Sequence, residues 1–389
     1  MTTLIKNIGQ LVTPEGHGAA FGGRMGQVKV LERVEILIEG DRIRAIGPAG
    51  RQRNADQVID ADGCVVLPGL VDPHRHVGTP GTLDGDERHR QTELPIGVDD
   101  GTFLERRVLR GFRRALAGGT STVGIKCGGA GAKDEVERLA FVREIGRTSA
   151  VKVCPTLIAA PRGADGRGRD DRISAMIGEA IPAARRRRLS RFCDVACGDG
   201  GYALSEAEAI LRAGRGAGLR PKLHVLCGEL DGAALLAAKL DALSIDHLRD
   251  AGRRALEALK ERGVICVLLP GDAFLNGGTC PNGRKLIDAG MAIALGTDYG
   301  FDGRGVESVW MALAAAVEGM GLSPEEAITA VTLNAAAAIE MADETGSIEL
   351  GKAADLAILD VDDYREIGRS VGCEPVRTTV VNGRAVFSS

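Results

Sequence analysis

Eight short apolar runs, each separated from the next by a longer amphipathic stretch, follow one another from residue 65 to residue 299. They cover 65–76, 121–127, 151–158, 192–197, 220–226, 243–248, 265–270 and 292–299. Between them lie helix candidates such as TFLERRVLRGFRRALAGG, in which Phe103, Leu104, Val108, Leu109, Phe112 and Leu116 recur at helical spacing ahead of Gly118 and Gly119. Strands covered on both faces by helices read as unbroken apolar runs, and a repeated strand and helix unit can close on itself. The pattern predicts an α/β chain whose residues 65–345 form a (β/α)8 TIM-type barrel.

The flanks have a different texture. Residues 1–64 and 346–389 consist of short alternating strands divided by Gly-Asp and Asn-Gly turns. Neither flank offers a sufficient core by itself, so both termini are expected to meet in one small β-sandwich domain beside the barrel. The Gly-rich segment GHGAAFGGRMGQ (16–27) reads as a mobile loop.

Composition removes several function classes. The formal charge of -4 over 389 residues gives no reason to expect nucleic acid or an acidic membrane as partner. The run Arg185 to Arg188 sits in a helix-like segment and reads as a solvated face. Nine cysteines lie scattered in apolar runs without a C-x-x-C pair, which suits buried thiols in a reducing cytoplasm. No basic leader precedes a long apolar stretch, and nowhere do about 18 uncharged apolar residues run together. A cytoplasmic protein acting on a small molecule is expected; a homodimer is a reasonable assembly, although the sequence does not read it.

In a barrel, the side chains that do chemistry sit where the strands end and eight loops converge. His74 and His76 end the first run, His224 lies late in the fifth, His247 ends the sixth, and Asp298 ends the eighth. Two histidines at i and i+2 on a strand face the same way, so both imidazoles reach one point in the barrel mouth, which is a chelating geometry. His17 and His89 lie in loops and read as solvated. The segment GGAGAKDE (128–135) lacks the order of a phosphate-binding loop, and no G-x-S-x-G elbow supports a serine nucleophile.

These residues resemble the signature of the amidohydrolase superfamily: H-x-H on strand one, His on strands five and six, Asp on strand eight, and a terminal β-sandwich. Within it the text is most similar to the imidazolonepropionase family, above all in KLHVLCGELDGAALLAAKLDALSIDHL, LIDAGMAIALGTD and GSIELGKAADLAILD. The resemblance implies His74, His76, His224 and Asp298 as ligands of one divalent metal per chain, Zn²⁺ first with iron or manganese as alternatives. It also implies His247 near the reacting carbonyl; Asp298, a carboxylate beside the activated water, is expected to move a proton from that water to the leaving nitrogen. Lys126, Arg88, His247 and Tyr299 are the residues expected at the substrate, with Glu229 assisting catalysis.

The substrate pocket departs from the family. Lys-Ser-Gly-Tyr-Gly is replaced by Lys126-Cys127-Gly128-Gly129-Ala130, Gly-Ala-His by Ala159-Ala160-Pro161, and Thr-Asp-Phe-Asn by Thr297-Asp298-Tyr299-Gly300. The acidic or amide residue three after the strand-five histidine is Cys227, and the family's arginine falls on Leu83, with Arg75, Arg88 or Arg90 as replacements. The expected function is therefore metal-dependent hydrolysis of a non-peptide C–N bond in a small cyclic amide or amidine other than imidazolone propionate. The alternatives are true imidazolonepropionase, an enamidase-type ring hydrolase, a deaminase, which Cys227 argues against, and a silent barrel that only binds a small molecule. A binuclear centre would want a carboxylated lysine on strand four, where FCDVACG offers none, although Cys197 is a potential bridging ligand.

Overall fold

A computed structural model describes residues 1–50, 55–77, 101–128, 131–161, 168–226, 228, 230–276, 280–301 and 305–389. The chain opens with β1 (Thr2–Pro14), β2 (Val28–Glu39), β3 (Arg42–Pro48), β4 (Gln57–Asp60) and β5 (Val65–Pro68). A run of parallel strands follows: β6 (Leu70–Val77), β7 (Thr120–Cys127), β8 (Lys152–Ala159), β9 (Phe192–Cys197), β10 (Arg220–Val225), β11 (Ser244–Asp246), β12 (Ile265–Leu268), β13 (Ala292–Leu295) and β14 (Tyr299–Gly300). The chain ends with β15 (Leu356–Leu359), β16 (Val376–Val381) and β17 (Arg384–Ser388).

The parallel strands bond in the order β13-β12-β11-β10-β9-β8-β7-β6-β14. β13 and β14 are two halves of one eighth strand, broken at residues 296–298. The first half bonds β12, the second bonds β6 through Tyr299 opposite Arg75 and Gly300 opposite His76, and so the barrel closes. The break allows Asp298 to turn left-handed, at φ 58°, and donate its backbone N–H to the His74 carbonyl. The TIM-type barrel read from the sequence is the fold observed.

Both termini share the second sheet, ordered β17-β16-β15-β5-β1-β2-β3 with β4 on β1. Its core is a separate apolar cluster that includes Ile5, Ile36, Ile38, Val66, Leu356 and Val380. The apolar run 65–76 is thus two strands rather than one, with Val65–Pro68 in the terminal sheet and Leu70–Val77 in the barrel. The crossing point is Gly69, where a Cβ would stand 2.6 Å from Ser121 Oγ. Pro68-Gly69 is the punctuation that marks it.

The N-terminal segment 16–27 is not a mobile loop. It forms a short 3-10 turn (Gly22–Gly26) with Met25 fully buried. The Gly22 N–H donates to the Met291 carbonyl and Thr329 Oγ1 to the Met25 carbonyl, while Asn334 bonds both backbone groups of Ala20. These contacts lie at the N-terminal end of β13, so the segment helps to close the barrel's floor, opposite the end that carries the histidines. Glycine content suggested freedom, whereas Phe21 and Met25 supply the apolar anchors that remove it. Eight cysteines in the described residues are free thiols, six of them buried, and Arg185 to Arg188 are exposed.

Candidate metal centre

The ends of β6, β10 and β11 and the break in strand eight bring five donor side chains to one point in the mouth. His74 Nε2 lies 3.0 Å from His76 Nε2, and Asp298 Oδ1 lies 3.0 Å from His76 Nε2 and 3.3 Å from His74 Nε2. His247 Nε2 stands 3.9 Å from the same carboxylate oxygen, and the His224 ring centroid is 4.3 Å from that of His247. Ligand atoms of His74, His76 and His224 lie within 4.8 Å of one another, as do those of His74, His247 and Asp298. Two of the five, His247 (φ 64°) and Asp298, are held in the left-handed backbone region. That conformation costs about 1–3 kcal/mol per residue and is tolerated where surrounding structure fixes it.

All four imidazoles are buried, while the Asp298 side chain keeps 18% of its surface open to the mouth. Burial and then the Lys126 charge push His74 below the ordinary histidine range, and burial with His247 pushes His224 well below it. Both are therefore neutral at pH 7, the form that offers a lone pair to a metal. Burial opposes the charge of Asp298, but His247, then His74 and His76, outweigh it and hold the carboxyl well below its usual value.

A metal ion fits this donor set. Tetrahedral coordination with ligands about 2.0–2.1 Å from the ion places neighbouring donors about 3.3 Å apart, close to the separations among His74, His76 and Asp298. His224 adds an independent observation: both of its ring nitrogens are buried and neither has a hydrogen-bond partner among the described residues. An imidazole left that way carries an unrecovered desolvation cost of about 1–3 kcal/mol, which a coordinate bond removes.

Beneath the histidines lies a layer of buried charge. Asp246 Oδ2 accepts from His74 Nδ1 at 2.8 Å and from Lys126 Nζ at 2.6 Å, and Asp246 Oδ1 accepts from Ser244 Oγ at 2.8 Å. With the carboxylate accepting, the His74 proton sits on Nδ1 and the Nε2 lone pair faces the mouth. Burial works against the Asp246 charge, yet Lys126, Lys222 and His74 together hold its carboxyl well below the usual range. Asp72 fixes the other side: it accepts from Thr297 Oγ1 at 2.6 Å, from the Thr297 N–H at 3.1 Å and from Arg75 Nε at 2.6 Å, tying strand one to strand eight under the site. Asp246→Asn is expected to weaken metal affinity by about 10–100-fold, because the amide cannot hold the His74 tautomer as firmly. Titration of the purified variant against a competing chelator measures this, and an affinity within twofold of wild type contradicts the role.

Several expectations for the substrate side change. Lys126 does not face substrate: it is fully buried, with its ammonium held between Asp194 and Asp246. Tyr299 alternates outward from Asp298 and packs edge-on against Phe301, whose ring lies against Gly111 in the helix Gly101–Ala117. Arg75 also points out of the barrel, donating to Asp72 and to the Glu307 carbonyl. His247 does stand in the mouth beside Asp298. His17 is exposed beside Asp343. Arg88, His89, Arg90, Cys227 and Glu229 lie outside the described residues. Asp72, Asp194 and Asp246 were missed from sequence, although each is a carboxylate inside an apolar strand run, where burial demands a partner.

Comparison with known proteins agrees with this architecture. A model of the amidohydrolase family matches residues 213–386. Imidazolonepropionase from Geobacillus sp. (strain WCH70) is 34% identical over 421 aligned residues, covering 99% of this chain and 98% of its own. The imidazolonepropionase of Solibacter usitatus (strain Ellin6076) is 35% identical over 409, covering 98% and 97%. Among solved structures, E. coli guanine deaminase superposes with a TM-score of 0.75 at 16% identity, covering 100% of this chain and 99% of its own. A mutant atrazine chlorohydrolase from Arthrobacter aurescens TC1, complexed with zinc and atraton, gives 0.74 at 19%, covering 99% and 95%. The two structures speak for the fold alone, but the full-length sequence identity goes further: the chain belongs to the amidohydrolase superfamily, among the relatives of imidazolonepropionase.

Proposed function

We propose that this hydrolase cleaves a non-peptide C–N bond in a small cyclic amide or amidine, with one divalent metal, Zn²⁺ in the first instance, held by His74, His76, His224 and Asp298. The observation that carries the reading is the convergence of His74, His76 and Asp298 at 3.0–3.3 Å beside His224, whose ring nitrogens have no hydrogen-bond partner among the described residues. A bound divalent ion supplies Lewis acidity, lowering the pKa of water from 15.7 to about 7.

The chain's own groups then divide the work. Asp298, exposed to the mouth, takes a proton from the attacking water as the C–O bond forms. It returns that proton to the nitrogen as the C–N bond breaks, so the ring opens without forming an amide anion. His247, 3.9 Å from Asp298, is placed to donate a hydrogen bond to the oxygen that gains charge.

The replaced residues at the ends of β7 and β8 and in β14 support a substrate other than imidazolone propionate. A hydrolysis screen over small cyclic amides, with imidazolone propionate among them, tests this. Turnover is expected on other rings; efficient turnover of imidazolone propionate contradicts the changed substrate while leaving the reaction class intact.

A further inference from the structure

Barrel interiors are filled by layers of side chains drawn from alternate strands, and bulky branched residues dominate those layers. Beneath the histidines this barrel departs from that rule. Its second, fourth and sixth strands, β7, β9 and β11, contribute Lys126, Asp194 and Asp246, all buried. Well-packed apolar residues of similar volume are often as stable as such an arrangement or more so, because desolvated charges recover their lost hydration only through good partners. Stability alone does not account for charge at this level.

The bonds show where the demand lies. An ammonium has three donors, and that of Lys126 reaches both carboxylates: it bonds Asp194 Oδ2, and it bonds Asp246 Oδ2 at 2.6 Å. The same Asp246 oxygen accepts from His74 Nδ1 at 2.8 Å, while its Oδ1 accepts from Ser244 Oγ at 2.8 Å. Two donors thus converge on one oxygen, and the lysine fixes which way that oxygen faces. Asp194 is itself tied down, since its Oδ1 accepts from the Val195 N–H at 2.9 Å, and it steadies the lysine from the side of β9. Lys222, the other buried lysine beneath the site, donates instead to the Ala338 carbonyl at 3.2 Å.

We infer that Lys126 is a positioning residue of the metal centre: its ammonium pins Asp246 Oδ2 against His74 Nδ1 and so fixes the direction of the His74 Nε2 lone pair. The inference rests on the reading of a metal centre, and metal uptake by the wild-type protein is its control. Lys126→Met alone leaves two buried carboxylates without their shared cation and is expected to fold poorly. Lys126→Met/Asp194→Asn removes one charge of each sign, so the net charge of the layer is unchanged and an altered metal affinity reports position rather than field. Zinc affinity by chelator competition and the visible absorption of the cobalt-substituted protein are measured for wild type, Asp194→Asn and the double variant. Circular dichroism of each metal-free protein reports the fold. The double variant is expected to bind zinc about 10–100-fold more weakly than wild type, the loss usual for a partner behind a metal-ligating histidine, and to show a changed cobalt spectrum. Asp194→Asn keeps Lys126 on Asp246 and is expected to keep the wild-type spectrum. A folded double variant with an affinity within about twofold of wild type and an unchanged spectrum overturns the inference. So does a double variant that fails to fold beside a folded Asp194→Asn, since Lys126 then serves stability. A wild-type protein that takes up neither metal removes the metal centre itself, and the inference with it.

Discussion

Replacing Asp298 by Asn is expected to lower turnover by at least about 10³-fold while leaving a folded protein. The asparagine side chain has the same shape, and Asn is among the non-glycine residues that best tolerate the left-handed backbone recorded here at φ 58°. What it cannot do is carry a proton from water to a leaving nitrogen, a contribution of about 10²–10⁴ in rate, or offer a second anionic lone pair to a metal. Circular dichroism and melting temperature report the fold, and steady-state kinetics report the loss. A variant that keeps more than a tenth of wild-type kcat contradicts the role given to this carboxylate.

The second large effect concerns His224. His224→Leu removes an imidazole whose two nitrogens are both buried without a hydrogen-bond partner among the described residues. In the presence of a strong chelator the variant is therefore expected to melt at or above the wild-type temperature, because no hydrogen bond is lost and an uncompensated polar group is gone. With zinc added the order reverses. Wild type gains about 4 kcal/mol at a free metal concentration of 1,000 Kd, which is several degrees in melting temperature, and the variant gains little. Differential scanning calorimetry with and without zinc reads both arms. Equal zinc stabilisation of the two proteins contradicts the assignment of His224 as a ligand.

The positions that strand periodicity fixes were the legible ones. His74 and His76 share a face because alternation has a period of two, and the ends of apolar runs located His224, His247 and Asp298 at one rim. In the structure the same alternation turns Arg75 and Tyr299 outward, against the expectation that Tyr299 meets substrate, which came from its family position rather than from the strand. Lys126 was misplaced for another reason. A lysine in an apolar strand reads as a substrate anchor only until its partners are known, and Asp194 and Asp246 come from strands 68 and 120 residues farther along the chain. The floor segment around Met25 was hidden by its glycines, since composition gives backbone freedom but not the carbonyls of Met291 and Asn334's side chain that hold it. Gly69 was passed over when 65–76 was read as one run, although a Pro-Gly pair inside an apolar stretch is a signal for a break.

Elemental analysis of the purified, unmodified chain, made alongside the Asp298→Asn and His224→Leu variants, tests the central claim most directly. About one divalent metal per wild-type chain, with marked loss in both variants, is the result this account predicts. A wild-type protein that takes up no metal after incubation with zinc, iron or manganese, or variants that retain as much as wild type, would show that the donor cluster in the barrel mouth is not a metal centre.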